Sequence, residues 1–365
     1  MDGNLPKPKI LVVDDTPANL RLIMETLKND YKIVTALNGE KALILAATEP
    51  LPDLILLDVM MPEIDGYEVC ARLKSDVKTK NIPIIFLTAL NEEEDEARGL
   101  ALGAADFITK PFRPGLVKAR VRNHIELKLH RDHLDSLVKE RTSELLLTQQ
   151  VTIEGLATLA EYRDPETGGH IFRTQSYVRA LAEHLRNHPD FASVLNDDII
   201  DKLYRSAPLH DIGKVSIPDS ILLKSGKLTD EEFTTMKTHA KCGYDAIARA
   251  TKRLGQNSFL QLAMEMAYTH HEKWDGSGYP LGLKGEQIPV SGRLMALADV
   301  YDALISRRVY KPPMRHQTAV SIISEVRGTH FDPRVVDAFL ELEEKFKLIA
   351  LEFADFDDER TALSD

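Results

Sequence analysis

Cysteine is nearly absent from the 365-residue chain: only Cys70 and Cys242 occur, each in a stretch that reads as helix. A disulfide framework is thereby excluded as the source of stability, and reduced thiols in the cytoplasm are expected. Long apolar runs are missing too. No stretch approaches the ~18 apolar residues of a membrane span, and Met1 to Lys9 lacks the apolar core of a signal peptide. Positive charge is in deficit, with 46 Lys and Arg against 57 Asp and Glu and a formal net charge of -11. That balance argues against broad binding to nucleic acid or anionic lipid, so a small anionic ligand would need a local cationic site. No internal repeat or low-complexity tract stands out either.

What is present fits two domains and a connector, since single cores tend to stop growing before this length. Hydrophobic residues at 43% and charged residues at 28% sit near the globular average. Residues 9 to about 125 alternate apolar runs (Ile10-Leu11-Val12-Val13, Leu54-Ile55-Leu56-Leu57, Ile84-Ile85-Phe86-Leu87) with amphipathic segments. This predicts an α/β doubly wound domain with a parallel five-stranded sheet, assigned to residues 1–125. From Arg113 the strand signal ends, and Leu127, Leu134, Leu137 and Leu145 recur at roughly heptad spacing. A long helical linker over 113–155 is expected, with a coiled coil that would make the protein a homodimer. Residues 156–365 read as helices broken by Gly and Pro clusters, so the second domain is expected to be all-α.

Ligands of a doubly wound sheet bind where strand ends open into loops. There the sequence places Asp14 and Asp15 after the first strand, Asp58 ending the third, Thr88 ending the fourth and Lys110 after the fifth. Clustered carboxylates call for a hard cation such as Mg²⁺, which with Lys110 would let Asp58 attack a phosphoryl donor and become an aspartyl-phosphate. The segments Val12-Val13-Asp14-Asp15, Leu57-Asp58-Val59-Met60-Met61-Pro62, Leu87-Thr88-Ala89 and Lys110-Pro111-Phe112 resemble the response-regulator receiver family over residues 8 to about 125. The resemblance implies that Asp58 is the phosphoacceptor for a sensor histidine kinase. It also implies that Asp14 and Asp15 help hold Mg²⁺, and that Thr88 and Lys110 couple phosphorylation to a surface change.

In the second half, His210-Asp211 is expected at the end of a helix beginning near Asp197, and His270-His271 forms a second doublet beside a Gly-rich turn. Imidazole and carboxylate donors suit borderline-to-hard divalent ions, and a carboxylate can bridge two of them. Glu166 and His170, His239 and Asp299 are further candidates on separate helices. By contrast His184, His188, His316 and the linker residues His124, His130 and His133 are expected to be solvated or capping.

The order His210-Asp211-Ile212-Gly213-Lys214, Lys237-Thr238-His239, His270-His271-Glu272-Lys273-Trp274-Asp275-Gly276-Ser277-Gly278-Tyr279-Pro280 and Ala298-Asp299-Val300-Tyr301-Asp302 resembles the HD-GYP subfamily of HD phosphohydrolases. The resemblance implies hydrolysis of cyclic di-GMP to the linear dinucleotide or GMP by two or three Fe or Mn ions. The implied ligands are Glu166, His170, His210, Asp211, His239, His270, His271 and Asp299, with Glu166 supporting a third ion. Lys214, beside the catalytic pair His210 and Asp211, could neutralise charge developing on phosphate. Arg308 and Lys311 occupy positions the family uses for substrate phosphates or guanine. Tyr279 could touch substrate, and His330-Phe331-Asp332-Pro333 is expected to start and brace a terminal helix. Two alternatives stay open: another cyclic nucleotide as substrate, or an interaction module that engages GGDEF-domain proteins.

Overall fold

A computed structural model describes residues 7–89, 93–161, 169–252, 259–307 and 312–364. The expected Glu166, Arg308 and Lys311 lie outside the described residues. The chain divides into two compact units, Met1–Ser143 and Glu144–Asp365.

In the first unit the strands β1 (Lys9–Val13), β2 (Lys32–Ala36), β3 (Leu54–Asp58), β4 (Ile84–Thr88) and β5 (Asp106–Thr109) form one sheet in the order β2-β1-β3-β4-β5. Every pairing is parallel. The central β3 and β4 are buried along their whole length, which explains their unbroken Leu and Ile runs: a strand covered on both faces has no solvent side to make polar. The helices α1 (Pro17–Leu27), α2 (Gly39–Ala46), α3 (Gly66–Ser75) and α4 (Glu93–Ala101) follow the strands in turn. One sheet face packs on Val69, Cys70 and Leu73 of α3, and the other on Leu20, Ile23 and Leu27 of α1. The doubly wound expectation is met.

Helix α5 (Pro114–Glu161) runs 48 residues, past the end expected for the linker. Its early turns bury Val117, Val121 and Ile125 in the first unit's core, and its last turns bury Ile153, Ala157 and Ala160. Between them Leu127, Leu134, Leu137 and Leu145 are exposed.

The second unit is all-α, as expected. It comprises α6 (Gly169–Leu185), α7 (Asp197–Ser206), α8 (Asp219–Leu222), α9 (Asp230–Met236), α10 (Thr238–Thr251) and α11 (Phe259–Thr269). The series continues with α12 (Val290–Ile305), α13 (His316–Glu325), α14 (Pro333–Glu341), α15 (Glu343–Glu352) and α16 (Asp357–Ser364). Its core is aromatic. Tyr177 of α6 stacks on Phe346 of α15 at 4.5 Å between ring centres, and Tyr301 of α12 meets Phe346 edge-on at 5.3 Å. Such pairs add about 0.5–1.5 kcal/mol each beyond their buried area, and they fix α6 against α12. His316, expected as solvated or capping, is instead buried in this core, its Nδ1 2.8 Å from the Tyr301 hydroxyl. His124 also departs from that expectation, lying 3.1 Å from Asp106. Asp332 caps α14 by accepting the Arg334 N–H and Pro333 opens the helix, which is not the terminal helix expected, because α15 and α16 follow it. Among the described residues, no helix is long and apolar enough to cross a membrane.

Candidate metal centre

The sequence places His210 and Asp211 at a helix end, but Pro208 changes how the chain arrives there. Helix α7 stops at Ser206, and two 3-10 turns follow, Ala207–Leu209 and Ile212–Ser216, with His210-Asp211 between them. Proline lacks the N–H that another α-turn would need. The second turn packs against the start of α10, where Gly213 is required: a Cβ there would lie 2.0 Å from the His239 carbonyl oxygen.

Four imidazoles then converge on Asp211. Its Oδ1 is 3.3 Å from His239 Nε2 and 3.5 Å from His270 Nε2, while its Oδ2 is 3.4 Å from His210 Nε2. His271 Nε2 lies 3.1 Å from His239 Nε2. Three of these rings are aimed by their own backbone. His210 Nδ1 contacts the Ala207 carbonyl at 2.9 Å, His239 Nδ1 that of Met236 at 2.7 Å, and His270 Nδ1 that of Met266 at 2.9 Å. A ring that donates from Nδ1 presents the Nε2 lone pair inward, the tautomer a metal requires.

Two ligand groups result. Asp211, His239, His270 and His271 form one; His170, His210 and Asp299 form the other, and in each the ligand atoms lie within 4.8 Å of one another. Asp211 faces both, with one oxygen towards each. The fit to divalent ions shows in the polar atoms left over: His210 Nε2, His270 Nε2 and Asp211 Oδ1 are buried and carry no hydrogen bond. Burying such atoms without a partner costs about 1–3 kcal/mol apiece, a cost that a cation among them removes.

Protonation follows the same arrangement. Burial holds the His271 imidazole well below its ordinary value, and His270 and His239 push the same way, so the ring stays neutral. Burial opposes ionisation of Asp211, yet Lys214 and His210 hold its carboxyl well below the usual range. Lys214 Nζ lies 2.9 Å from Asp211 Oδ2, which places the expected ammonium at the centre itself.

One wall is built by the loop after His271. Buried Glu272 accepts the N–H groups of Leu281 at 2.7 Å and Leu283 at 2.9 Å. Gly278 lies so close to Lys273 that a Cβ would fall 2.3 Å from its backbone nitrogen. The loop sets Tyr279 in a stack on His271, 4.7 Å between ring centres.

Sequence reasoning quoted Asp302 within a motif but gave it no role, and it missed Arg173. Asp302 Oδ2 lies 2.9 Å from His170 Nδ1, and Arg173 grips the same carboxylate through Nε at 2.6 Å and Nη2 at 3.0 Å. The overlooked signal is spacing: Arg173 is three residues beyond His170, and Asp302 three beyond Asp299, each on the same helical face as its ligand.

In the first unit, Lys110 Nζ lies 2.9 Å from Asp14 Oδ2 and 2.7 Å from Asp58 Oδ2. Asp14, Asp15 and Asp58 offer oxygens within 4.8 Å of one another, a hard donor set that suits Mg²⁺. Asn19 and the Thr16 N–H hold Asp14 in place. Burial lifts the Asp58 carboxyl above its ordinary value, and Asp14 adds to this against the pull of Lys110. Thr88 is buried at the end of β4.

A strand-end acidic pocket in one unit and a buried His/Asp cluster in the other define a signalling protein with a receiver and a metallohydrolase-type helical domain. Residues 10–122 match the response regulator receiver domain family, and residues 158–335 match the HD domain family. A probable cyclic di-GMP phosphodiesterase of Vibrio cholerae is 50% identical over 360 residues, covering 96% of this chain and 81% of that protein. The cyclic di-GMP phosphodiesterase response regulator RpfG of Xanthomonas campestris is 35% identical over 355 residues, covering 94% and 90%. A 3'3'-cGAMP-specific phosphodiesterase of Vibrio cholerae is 41% identical over 212 residues, covering 58% of this chain and 38% of its own. The chain belongs to the family of response regulators that join a receiver domain to an HD domain.

Proposed function

We propose that the chain hydrolyses the phosphodiester bonds of cyclic di-GMP in its HD unit, giving the linear dinucleotide or GMP, under the control of phosphorylation at Asp58. The observation that carries this is the buried cluster around Asp211, whose inward-facing His210 Nε2, His270 Nε2 and Asp211 Oδ1 carry no hydrogen bond. It occurs in a chain half identical to a protein named for this activity.

His239, His270, His271 and Asp211 would hold one ion, and His170, His210 and Asp299 a second. Glu166 is the candidate for a third. Mixed N and O donors suit Fe or Mn. Ions there would supply Lewis-acid charge and acidify a water. Lys214 sets a fixed positive charge beside the reacting phosphate, and Tyr279 offers an aromatic face. Arg308 and Lys311 would supply the cationic contact that an acidic protein needs for an anionic substrate. In the receiver, Asp14 and Asp15 would hold Mg²⁺ while a sensor histidine kinase phosphorylates Asp58, with Thr88 and Lys110 binding the phosphoryl oxygens. The exposed leucines of α5 would pair two copies into a homodimer.

The test is turnover by anaerobically purified protein beside the double variant His210→Ala/Asp211→Ala, with ions quantified in both. Hydrolysis of cyclic di-GMP that disappears with the ions in the variant is expected. Full activity and normal ion content in the variant would refute the site. The 3'3'-cGAMP-specific relative favours a second reading in which a mixed cyclic dinucleotide is preferred. A higher kcat/KM for 3'3'-cGAMP in the same assay would select it.

A further inference from the structure

The histidines of the cluster are held in different ways. His210, His239 and His270 lean on carbonyls of their own local turns. His170 leans on a side chain from another helix, Asp302 of α12. That carboxylate is in turn the hub of a buried network. Besides its two bonds to Asp302, Arg173 donates from Nη2 to Ser306 Oγ at 2.9 Å, and from Nη1 to the Phe353 carbonyl at 2.7 Å and Asp355 Oδ2 at 3.2 Å. Asp355 Oδ2 also accepts the N–H of Gly169 at 3.2 Å, immediately before His170. The turn carrying Phe353 and Asp355 lies beyond residue 335, where the match to the HD family ends.

We propose that Asp302, clamped by Arg173 and the C-terminal turn at Phe353–Asp355, is the positioning residue for His170, and that it sets the affinity of one ion, leaving the His239/His270/His271 group independent. The physical basis is general. A carboxylate on the far nitrogen of a ligating imidazole fixes the tautomer and the ring angle and raises its basicity, and losing one weakens the metal by about 10–100-fold. Here the carboxylate cannot turn away, because Arg173 takes both of its oxygens in a fork. The C-terminal turn holds the guanidinium from behind. The chain outside the family match thereby reaches His170, while His210, His239 and His270 rest on backbone carbonyls.

This inference rests on the metal-centre reading and is tested apart from it. Full-length protein loaded with Mn²⁺ is titrated with a chelator, following the ions that remain per chain. Asp302→Asn is expected to weaken one ion by about 10–100-fold and leave the other at its wild-type affinity. Asp355→Asn, in an exposed turn where the amide oxygen can still accept the Gly169 N–H, is expected to weaken the same ion less, with no shift in the unfolding midpoint of the metal-free protein. In a His170→Ala background, Asp302→Asn has no further effect. Equal weakening of both ions, or an additive effect in that background, would assign Asp302 a merely structural role and overturn the proposal. Wild-type protein that binds no ion at all would overturn the metal-centre reading and this one with it.

Discussion

Gly213 shows how one missing methyl shapes the centre. The turn after Asp211 crosses α10 so closely that a Cβ at 213 would meet the His239 carbonyl oxygen at 2.0 Å and the Gly243 nitrogen at 2.5 Å. Both obstacles are backbone, so they cannot swing aside, and the two segments that carry Asp211 and His239 must separate. Gly213→Ala is therefore expected to cost about 1–3 kcal/mol of stability, in the range of other overpacking changes, and to lower both ion content and turnover. Denaturant unfolding with ion quantification checks it, and wild-type stability with full ion content would count against the packing argument. His210-Asp211 and His270-His271 were legible as candidates because they are doublets of metal-binding types, and the structure brings them together. Asp302 and Arg173 were not, since a buried ion pair between helices leaves no local pattern in sequence beyond its three-residue offset from each ligand. The burial of His316 was equally hidden, because only the fold brings Tyr301 to its ring.

Elements were legible where one periodicity ran unopposed. Strands β1, β3 and β4 announced themselves as apolar runs that end at Asp58 and Thr88 or just before Asp14, and the parallel sheet follows from the helices between them. The 3-10 turns around His210-Asp211 were missed because the helical pattern of α7 continues in sequence past the point where Pro208 stops it. Helix α5 is the element whose surface fits solvent least: Leu127, Leu134 and Leu145 stand 64%, 58% and 70% exposed. Leucines at heptad spacing gain most of their burial energy only when a second helix covers them, roughly 1.5–3 kcal/mol for each side chain fully buried. Replacing Leu134 and Leu145 with Lys should therefore weaken self-association by at least tenfold without disturbing either unit's core. Sedimentation equilibrium of the wild type and the double variant decides it, and a wild type that is monomeric at all concentrations would remove the coiled coil.

At the scale of the whole molecule, the receiver pocket and the His/Asp cluster belong to different compact units, with separate cores and separate charged groups. Each group is drawn from residues of one unit alone. Asp58 lies 2.7 Å from Lys110, whose ammonium also contacts Asp14. Phosphorylation replaces the Asp58 carboxylate by an acyl phosphate whose phosphoryl group carries close to −2 at neutral pH, one negative charge more than before, and this must redistribute Lys110 and the Asp14/Asp15 oxygens. Allosteric control requires that this change favour one conformational state of the receiver over another. Asp58→Asn keeps the side chain's size and removes the nucleophile, so it is expected to abolish the effect of a small phosphoryl donor such as acetyl phosphate on hydrolysis. The variant's ion content in the HD unit should equal that of the wild type, and its basal turnover should stay within a few-fold. Measuring turnover with and without donor in both proteins separates the possibilities. A donor response that survives in Asp58→Asn would place the control elsewhere than the receiver aspartate, and a loss of ions in the variant would show that the two sites are not chemically independent.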